Sequence, residues 1–398
     1  MSRQAGALER TRSDVRPGVG DGQVALVHDH LMQKGGAERV ALLMTEAFPS
    51  APIYTSFYDA EKTYPEFSSV DIRTSWLDRV STLRRNFRIA LPLMAPVFSR
   101  MRPSAAVTIC SSAGWAHGAR PRNGRTVVYC HAPARWLYQS DRYLGRGSED
   151  GYTPSASARL ARWALALLGP HLRRWDRASA GRAQRYVANS TLTAKAVESV
   201  YGIKAEVLPP PPGLEPDGPE TPPVGLEQIE PGFWLCVARL LPYKNVDVVT
   251  EAVRRRRGEK LVVVGDGPQL EYMRARASDE VHFVGAVHDD ELRWLYRRSR
   301  GLLAASYEDF GLTPLEAASF GKPSVVLRWG GFLDTVDEDL TGTFFDHPDP
   351  TLMSEAMDRL STLGISEQTL LSQAEKFSAD RFVKRLREVV ADELVLAG

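Results

Sequence analysis

The stretch GLLAASYEDFGLTPLE, residues Gly301 to Glu316, contains the pattern that decides the fold. Its first five residues form an apolar run of the length of a buried strand. A polar loop with Gly311 follows, and Pro314 suits the first turn of a helix because its missing N–H would be unpaired there anyway. A buried strand, a loop and a helix in this order are the βα unit from which parallel sheets are built.

The same alternation runs through most of the chain. In the first half the predicted strands are Val24–Val27, Ala106–Cys110, Thr126–Tyr129, Tyr186–Ala188 and Val207–Leu208, with helices from about Ala37 and from Ser190 to Tyr201. In the second half they are Phe233–Val237, Lys260–Val264, Val281–Val284, Gly301–Ala305 and Ser324–Leu327, with helices Val246–Arg257, Gln269–Ala277, Asp289–Arg298 and Leu315–Phe320. Residues 366–396 are predicted to be helical, with an apolar face of Phe377, Phe382, Leu386, Val389 and Val390.

A proline-rich segment separates the two halves. It begins with four consecutive prolines from Pro209 to Pro212, and such a run fits neither a helix interior nor a sheet ladder. We therefore expect two doubly wound α/β domains of Rossmann type with a cleft between them. The predicted boundaries are a disordered leader over 1–22, a first domain over 23–210, a linker over 211–231, a second domain over 232–375 and a C-terminal helix over 376–398.

Charge is distributed unevenly between the halves. Residues 1–212 carry 29 Lys and Arg against 17 Asp and Glu, whereas residues 213–398 carry 21 against 32, although the whole chain has a net charge of +1. A basic half indicates an anionic partner such as nucleic acid or a membrane surface, while complementary domain faces explain the asymmetry without a partner. The basic residues lack a stacking aromatic platform, so we expect no nucleic acid.

Two basic amphipathic segments bear on a membrane partner. Residues 76–102 and 160–175 interleave arginines with apolar side chains: Arg79, Arg84, Arg85, Arg88, Arg100 and Arg102 in the first, and Arg162, Trp163, Arg173, Arg174 and Trp175 in the second. Either can lie on an anionic membrane or be a helix with one buried face, which is the interpretation we favour for the second. No apolar run approaches the roughly 20 residues that cross a bilayer.

The three cysteines, Cys110, Cys130 and Cys236, have no metal or redox spacing and lie in apolar runs. They are expected to be buried and reduced, which favours a cytoplasmic location.

Glu308 and Glu316 flank the loop and helix quoted above, and both can accept hydrogen bonds from hydroxyls of a ligand at the helix N-terminus. An acidic surface turn with a helix-capping glutamate fits the same spacing equally well. Arg239 and Lys244 follow a predicted strand at the edge where α/β sheets bind ligands, and together they can neutralise a diphosphate. A solvated loop pair is the alternative.

Three further elements follow predicted strands. Gly265 lies in a Gly-Asp-Gly-Pro turn that lacks the third glycine of a dinucleotide fingerprint, and therefore favours a turn beside a nucleoside. Gly35 and Gly36 after the first strand can bring amides against phosphate, or form a plain turn. His131 faces the predicted cleft either as a ligand contact or as a structural histidine, and His28 and His30 carry a weaker signal.

Taken together, these elements resemble the family 4 glycosyltransferases of GT-B fold over roughly residues 24–382. The segment from Glu308 to Glu316, with seven residues between the two glutamates, is the most specific element of that resemblance. The segments Val27–Leu31, Lys34–Glu38 and Tyr129–Arg135 are similar to a bacterial mannosyltransferase-like branch associated with polysaccharide and O-antigen assembly, often with GDP-mannose. The GT-B resemblance also implies that the C-terminal helix crosses back to the first domain.

The resemblance implies a role for each site residue. Glu308 would hold sugar hydroxyls, Glu316 the ribose, and Arg239 with Lys244 the departing diphosphate. His131 would contact the donor sugar, while the remaining donor-binding positions are Gly35, Gly36, Gly265, Phe310, Gly311 and Leu312. No Asp-x-Asp signature stands where a metal site is expected, so the resemblance implies neither a metal nor a cofactor.

The implied function is a retaining hexosyltransferase that uses a nucleotide sugar, GDP-mannose before a UDP sugar. Its acceptor would be a glycan, a lipid-linked sugar or a natural product, reached in the cytoplasm or at the inner face of the membrane. A GT-B-fold epimerase acting on a nucleotide sugar and a non-catalytic nucleotide-sugar binding protein are the alternatives.

Overall fold

The computed structural model describes residues 22–85, 90–139 and 156–397, without the side chains of residues 91–92 and 156–166. All but the last residue of the predicted leader over 1–22 therefore lies outside the described residues. So do Arg88 and the side chains of Arg162 and Trp163 from the two basic segments.

The first sheet contains seven parallel strands within the described residues, in the order β3-β2-β1-β4-β5-β6-β7. The strands are β1 (Val24–His28), β2 (Ile53–Thr55), β3 (Ile72–Thr74), β4 (Val107–Ser112), β5 (Arg125–Cys130), β6 (Arg185–Ala188) and β7 (Glu206–Val207). The helices are α1 (Gly36–Ala47), α2 (Ser81–Arg85), α3 (Leu91–Arg100), α4 (Arg135–Tyr138), α5 (Ala156–Ala180) and α6 (Thr191–Tyr201). The chain order reverses between β1 and β4, so the crevice of this sheet lies there.

The second sheet contains six parallel strands among the described residues, in the order β10-β9-β8-β11-β12-β13. The strands are β8 (Trp234–Val237), β9 (Leu261–Val264), β10 (Val281–Gly285), β11 (Gly301–Ala304), β12 (Ser324–Leu327) and β13 (Gly342–Phe345). The helices are α7 (Val246–Arg254), α8 (Leu270–Arg274), α9 (Asp289–Arg298), α10 (Thr313–Ser319), α11 (Phe332–Thr335), α12 (Pro350–Thr362), α13 (Glu367–Glu375) and α14 (Ala379–Val395). The predicted architecture of two doubly wound α/β domains is confirmed.

Three strands were not predicted: β2, β3 and β13. Each has only three or four residues, so none carries a periodic pattern that its own sequence could reveal. They form because their backbone groups hydrogen-bond to a neighbouring strand. At the edge of the first sheet, for example, β2 pairs with β3, with Ile53 opposite Ile72. The predicted helix from Val246 also ends earlier, at Arg254 rather than Arg257.

Residues 366–396 are largely helical as predicted, but the helical run is broken, and the predicted place of Phe377 on the apolar face is wrong. Helix α13 ends at Glu375 and α14 begins at Ala379, with Phe377 between them rather than on the apolar face. This break redirects the chain from one domain to the other. Phe382 and Leu386 of α14 pack in the core of the first domain with α1 and its sheet, and Glu393 pairs with Arg125 of β5. The predicted return of the C-terminal helix to the first domain is confirmed.

The three cysteines are free and buried, as expected. None of the described helices is both long enough and apolar enough to span a bilayer.

Candidate functional site

The predicted site residues lie in loops at the carboxyl ends of the two sheets, where the domains meet. Arg135 of α4 forms an ion pair with Asp309 of the second domain. A methyl group added to Gly36 would lie 3.3 Å from Cδ1 of Leu312, so the start of α1 touches the loop before α10. These contacts bring the turn after β1 against the loop after β11, where the two domains meet.

Lys244 and Glu308 form an ion pair on the second-domain wall. Asn245 fixes the lysine loop, because its left-handed backbone (φ 49°) ends the turn and its amide Nδ2 donates to the Ala305 carbonyl at 2.8 Å. Burial raises the pKa of Glu308. A larger, opposite effect comes from the charges of Lys244 and Arg135 and from hydrogen bonds to Lys244 and Ser306. The pKa of this carboxyl therefore lies below its ordinary value, and the group is ionised at neutral pH.

Arg239 lies on the same edge but is exposed, and its Nη2 lies 3.4 Å from the hydroxyl of Tyr243. Gly265 packs against the backbone next to Arg239. Its φ of 130° and its contact with the Ala238 carbonyl leave no room for a Cβ. The predicted role of Gly265 in the nucleoside pocket stays a prediction, whereas its packing against the Arg239 strand end is a structural reason for glycine.

Glu316 lies deeper than Glu308. It is buried, and its two oxygens accept hydrogen bonds from the Tyr296 hydroxyl at 2.9 Å and from the Gly213 amide at 3.2 Å. Burial raises the pKa of this carboxyl, against the two hydrogen bonds that lower it. Glu316 therefore ties the segment that follows the four prolines to the second domain, a contact that its sequence spacing does not reveal.

The loop between the two glutamates has a fixed shape. Phe310 is buried, and Gly311 has a φ of 80°, with Phe332 so close that a Cβ on Gly311 would lie 2.5 Å from a ring atom. Leu312 is the residue before α10, and Pro314 lies in the first turn of that helix as predicted. The predicted contacts of these amides with phosphate or sugar stay predictions.

The first-domain wall begins at Gly35, the extended residue before α1, and Gly36, the first residue of that helix. A Cβ on Gly35 would lie 2.5 Å from Oε2 of Glu38. Glu38 is buried, and burial raises its pKa to about 7. A buried acid thus lies just inside the glycine turn, 3.6 Å from Nδ1 of His30.

His131 lies directly after β5, at the carboxyl edge of the first sheet. It is buried, and its Nε2 lies 2.8 Å from Oγ of Ser111, which in turn lies 3.0 Å from Nδ1 of His28. Burial and the nearby Arg135 lower the pKa of His131 to about 3, so this imidazole is neutral at physiological pH. His131 follows β5 as the sequence indicated, while its position facing a cleft and its contact with a sugar stay predictions.

Sequence reasoning missed Asp29, Ser111 and Asp309. Asp29 is buried directly after β1. Its carboxylate accepts a hydrogen bond from the amide of Ala113 at 2.8 Å and two more from the amides of Trp115 and Ala116. Its pKa is raised by burial to about 6, against the amides that lower it. A polar residue directly after a buried strand was the available signal for Asp29. A serine within an apolar strand such as Ser111 carries none.

Within the described residues, no group of three or more His, Cys, Asp and Glu side chains is arranged to hold a metal ion. The expectation of metal-independent chemistry stays a prediction.

Two facing parallel-sheet domains, joined by a linker and a returning C-terminal helix, define the GT-B class of glycosyltransferase folds. Residues 219–377 match the family model described as Glycosyl transferases group 1. The resemblance to GT-B glycosyltransferases is thereby confirmed, with the family match lying on the second domain, where Arg239, Lys244, Glu308 and Glu316 stand.

Individual relatives each match less than half of the chain. A GDP-mannose-dependent alpha-(1-6)-phosphatidylinositol monomannoside mannosyltransferase of Mycobacterium tuberculosis is 30% identical over 196 residues, 43% of this chain and 51% of that protein. A glycogen synthase of Thermus thermophilus is 30% identical over 174 residues, 42% of this chain and 40% of that protein. The chain thus spans about half the length of the curated relatives it matches, or less.

Similarity of fold extends over both domains. The Anabaena protein HepE in complex with UDP-glucose superposes with a TM-score of 0.66 at 17% identity, over 93% of this chain and 99% of that one.

Proposed function

We propose that this protein is a retaining hexosyltransferase that takes its sugar from a nucleotide sugar, with GDP-mannose favoured over a UDP sugar. Its acceptor would be a glycan, a lipid-linked sugar or a natural product. The observation that carries the proposal is the Lys244–Glu308 ion pair at the carboxyl edge of the second sheet, opposite Gly36 at the start of α1. The GDP-mannose dependence of the mannosyltransferase relative supports the choice of GDP-mannose.

The arrangement fits the charge of such a donor. Ionised Glu308 accepts hydrogen bonds from sugar hydroxyls, and its bond to Lys244 fixes the direction of its oxygens. Arg239 is exposed beside this pair, so its guanidinium is accessible to a diphosphate. Together, Lys244 and Arg239 stabilise the developing charge of the leaving group without a metal ion.

The proposed transfer takes place on one face of the sugar. The bond from the anomeric carbon to the diphosphate oxygen breaks, and a bond from that carbon to the acceptor oxygen forms on the same side. The proton of the acceptor hydroxyl passes to the departing phosphate oxygen. His131, neutral at physiological pH, lies beside this region as a hydrogen-bonding group rather than as a charged acid.

A panel of nucleotide sugars tests the proposal. The protein is incubated with GDP-mannose, UDP-glucose and UDP-galactose, with and without EDTA, and release of GDP or UDP is measured. Release that EDTA does not change supports metal-independent transfer or hydrolysis. Conversion of the donor into its epimer would identify an epimerase instead, and tight donor binding without turnover would identify a binding protein.

Variants link the activity to the cations. Arg239→Ala and Lys244→Ala should each lower kcat by roughly 100-fold or more, as removal of one fixed electrostatic donor does in other enzymes. Arg257→Ala is the matched control, because Arg257 is an exposed arginine of the same domain outside the cleft loops. Near-normal turnover in both cleft variants would contradict the assignment of the diphosphate to these residues.

We also propose that the first domain contacts an anionic membrane through α3 and α5. Trp175 of α5 donates through Nε1 to Ser99 of α3 at 2.8 Å, and an apolar groove runs beside this contact. Leu167 of α5 is 77% exposed, and four exposed arginines lie on α5 or at and just after the end of α3: Arg100, Arg102, Arg173 and Arg174. Exposed apolar side chains and cations on the same helices match the chemistry of an anionic lipid surface.

Vesicle flotation tests the membrane contact. Wild-type protein should float with vesicles that contain phosphatidylglycerol and not with pure phosphatidylcholine. The double variant Leu167→Ser/Arg173→Glu should lose this binding, whereas Arg257→Glu in the second domain should retain it. Equal binding of all three proteins, or no binding by the wild type, would contradict the proposed surface.

A further inference from the structure

Three polar side chains meet at the crevice of the first sheet. His28 ends β1, Ser111 lies on β4 and His131 follows β5, so they come from three neighbouring strands. His28 is paired in register with Ser111, and Ser111 with Tyr129, two residues before His131. All three are buried. Their position, where the strand order reverses, is the place at which α/β sheets bind ligands.

One hydroxyl joins the two imidazoles. Oγ of Ser111 lies 3.0 Å from Nδ1 of His28 and 2.8 Å from Nε2 of His131. Both imidazoles are neutral at physiological pH. Burial and Arg135 lower the pKa of His131 to about 3, and burial, His131 and His30 lower that of His28 well below its ordinary value. Each ring therefore carries one N–H and one acceptor nitrogen.

The single proton of the hydroxyl restricts how these groups can bond. If Ser111 donates to His131, Nε2 of His131 is the acceptor and its proton lies on Nδ1, while His28 donates to Ser111 from Nδ1. If Ser111 donates to His28, both protons lie on Nε2. An arrangement in which both rings donate to Oγ leaves the buried hydroxyl proton without either nitrogen as its acceptor, which is unfavourable.

We propose that Ser111 couples His28 and His131 into one unit in which both rings carry the same tautomer, either Nδ1–H in both or Nε2–H in both. The outer nitrogens, Nε2 of His28 and Nδ1 of His131, then always have opposite character, one a donor and one an acceptor. A hydrogen bond formed at one outer nitrogen fixes the character of the other, with no change in net charge. Ser111 is thus a positioning residue.

The consequence for transfer rests on the proposed function. His131 would face the donor sugar, whose hydroxyls can both donate and accept. Through Ser111, the hydrogen bond that His28 makes at its outer nitrogen would then set whether His131 offers the sugar a donor or an acceptor. Loss of Ser111 would leave His131 in a mixture of tautomers, of which only one suits the sugar.

The test is NMR of protein labelled with ¹⁵N-histidine, without any donor. Among the eight histidines, the signals of His28 and His131 are assigned with His28→Asn and His131→Asn. The wild type should show the same tautomer at both positions, and Ser111→Ala should abolish this match. Opposite tautomers in the wild type, or unchanged tautomers at both rings in Ser111→Ala, would overturn the proposal.

A matched control separates this effect from packing. Thr108 lies on the same strand, is buried, and is three residues from Ser111. Thr108→Val removes a hydroxyl there and should leave both histidine tautomers as they are in the wild type. A change in their tautomers in Thr108→Val would show that the strand, not the Ser111 hydroxyl, controls them.

Turnover gives a second readout. Ser111→Ala should lower kcat for nucleotide release from GDP-mannose by roughly 10- to 100-fold, by analogy with the partners that fix the tautomer of metal-binding histidines. KM should change little, and Thr108→Val should keep wild-type turnover. Wild-type kcat in Ser111→Ala would overturn the positioning role. If the wild type releases no nucleotide from any donor, the proposed function fails, and the NMR result alone decides whether Ser111 couples the rings.

Discussion

Replacing Lys244 with methionine should destabilise the second domain by about 2 kcal/mol at pH 7. Lys244 is 11% exposed and Glu308 22%, so solvent screens their ion pair only in part. Removing one partner of a fully buried pair costs about 3–5 kcal/mol, whereas an exposed pair contributes about 1 kcal/mol or less. The partial exposure places this pair between the two limits.

The effect should depend on pH in a defined direction. With Lys244 present, the pKa of Glu308 lies below its ordinary value, so the ion pair contributes stability above the unfolded-state pKa of about 4.3. That contribution is lost as the pH falls through the lower, folded-state pKa. Without Lys244, burial, the largest influence on this carboxyl, raises its pKa, and the ionised group then opposes folding at pH 7.

The stability difference between wild type and Lys244→Met should therefore be largest near pH 7 and shrink toward about pH 4. Urea unfolding at both pH values, followed by tryptophan fluorescence, measures it. Lys260→Met, at a half-buried lysine of the same domain, is the control and should show a smaller difference. Glu308→Gln and the double variant complete a thermodynamic cycle, and the double variant should be more stable than the sum of the two losses predicts. A difference that does not change with pH, or strictly additive losses, would refute this reasoning.

Three further predictions concern stability. Gly311→Ala should cost about 2–4 kcal/mol in thermal unfolding, because Gly311 has a φ of 80° and a Cβ would lie 2.5 Å from the Phe332 ring. Gly258→Ala is the control: its φ is also in the left-handed region but the space around it is open, so it should cost only about 1 kcal/mol, and equal losses would contradict the steric argument. Glu38→Gln should stabilise the protein by about 2 kcal/mol at pH 8, because burial raises the pKa of this carboxyl to about 7. Urea unfolding should show that the gain vanishes below about pH 4.5, and a gain that stays constant with pH would contradict this prediction. Leu386→Ala should lower the free energy of unfolding by about 2–5 kcal/mol, since this fully buried side chain packs α14 into the first-domain core. A loss below about 1 kcal/mol would show that α14 does not anchor there.

Much of the fold follows from local patterns. Apolar runs such as Val24–Val27 and Lys260–Val264 identified central strands to within one or two residues, because a strand buried on both faces must be apolar along its length. Ser190 and Gly202 marked the ends of α6 through local hydrogen bonding and left-handed backbone. The short strands β2, β3 and β13 and the break at Phe377 were missed, since neither leaves a periodic signal.

For the site, the sequence determined which residues stand at strand ends, and in parallel sheets strand ends share one edge. That is why Arg239, Lys244, Glu308 and His131 could be named in advance. Pairing across long sequence separations was decided by tertiary structure alone. The bond of Lys244 to Glu308 and that of Ser111 to both histidines depend on strand order and register, which no local stretch of sequence encodes. Likewise, the tie from Glu316 to Gly213 exists only because folding brings the interdomain segment onto α10.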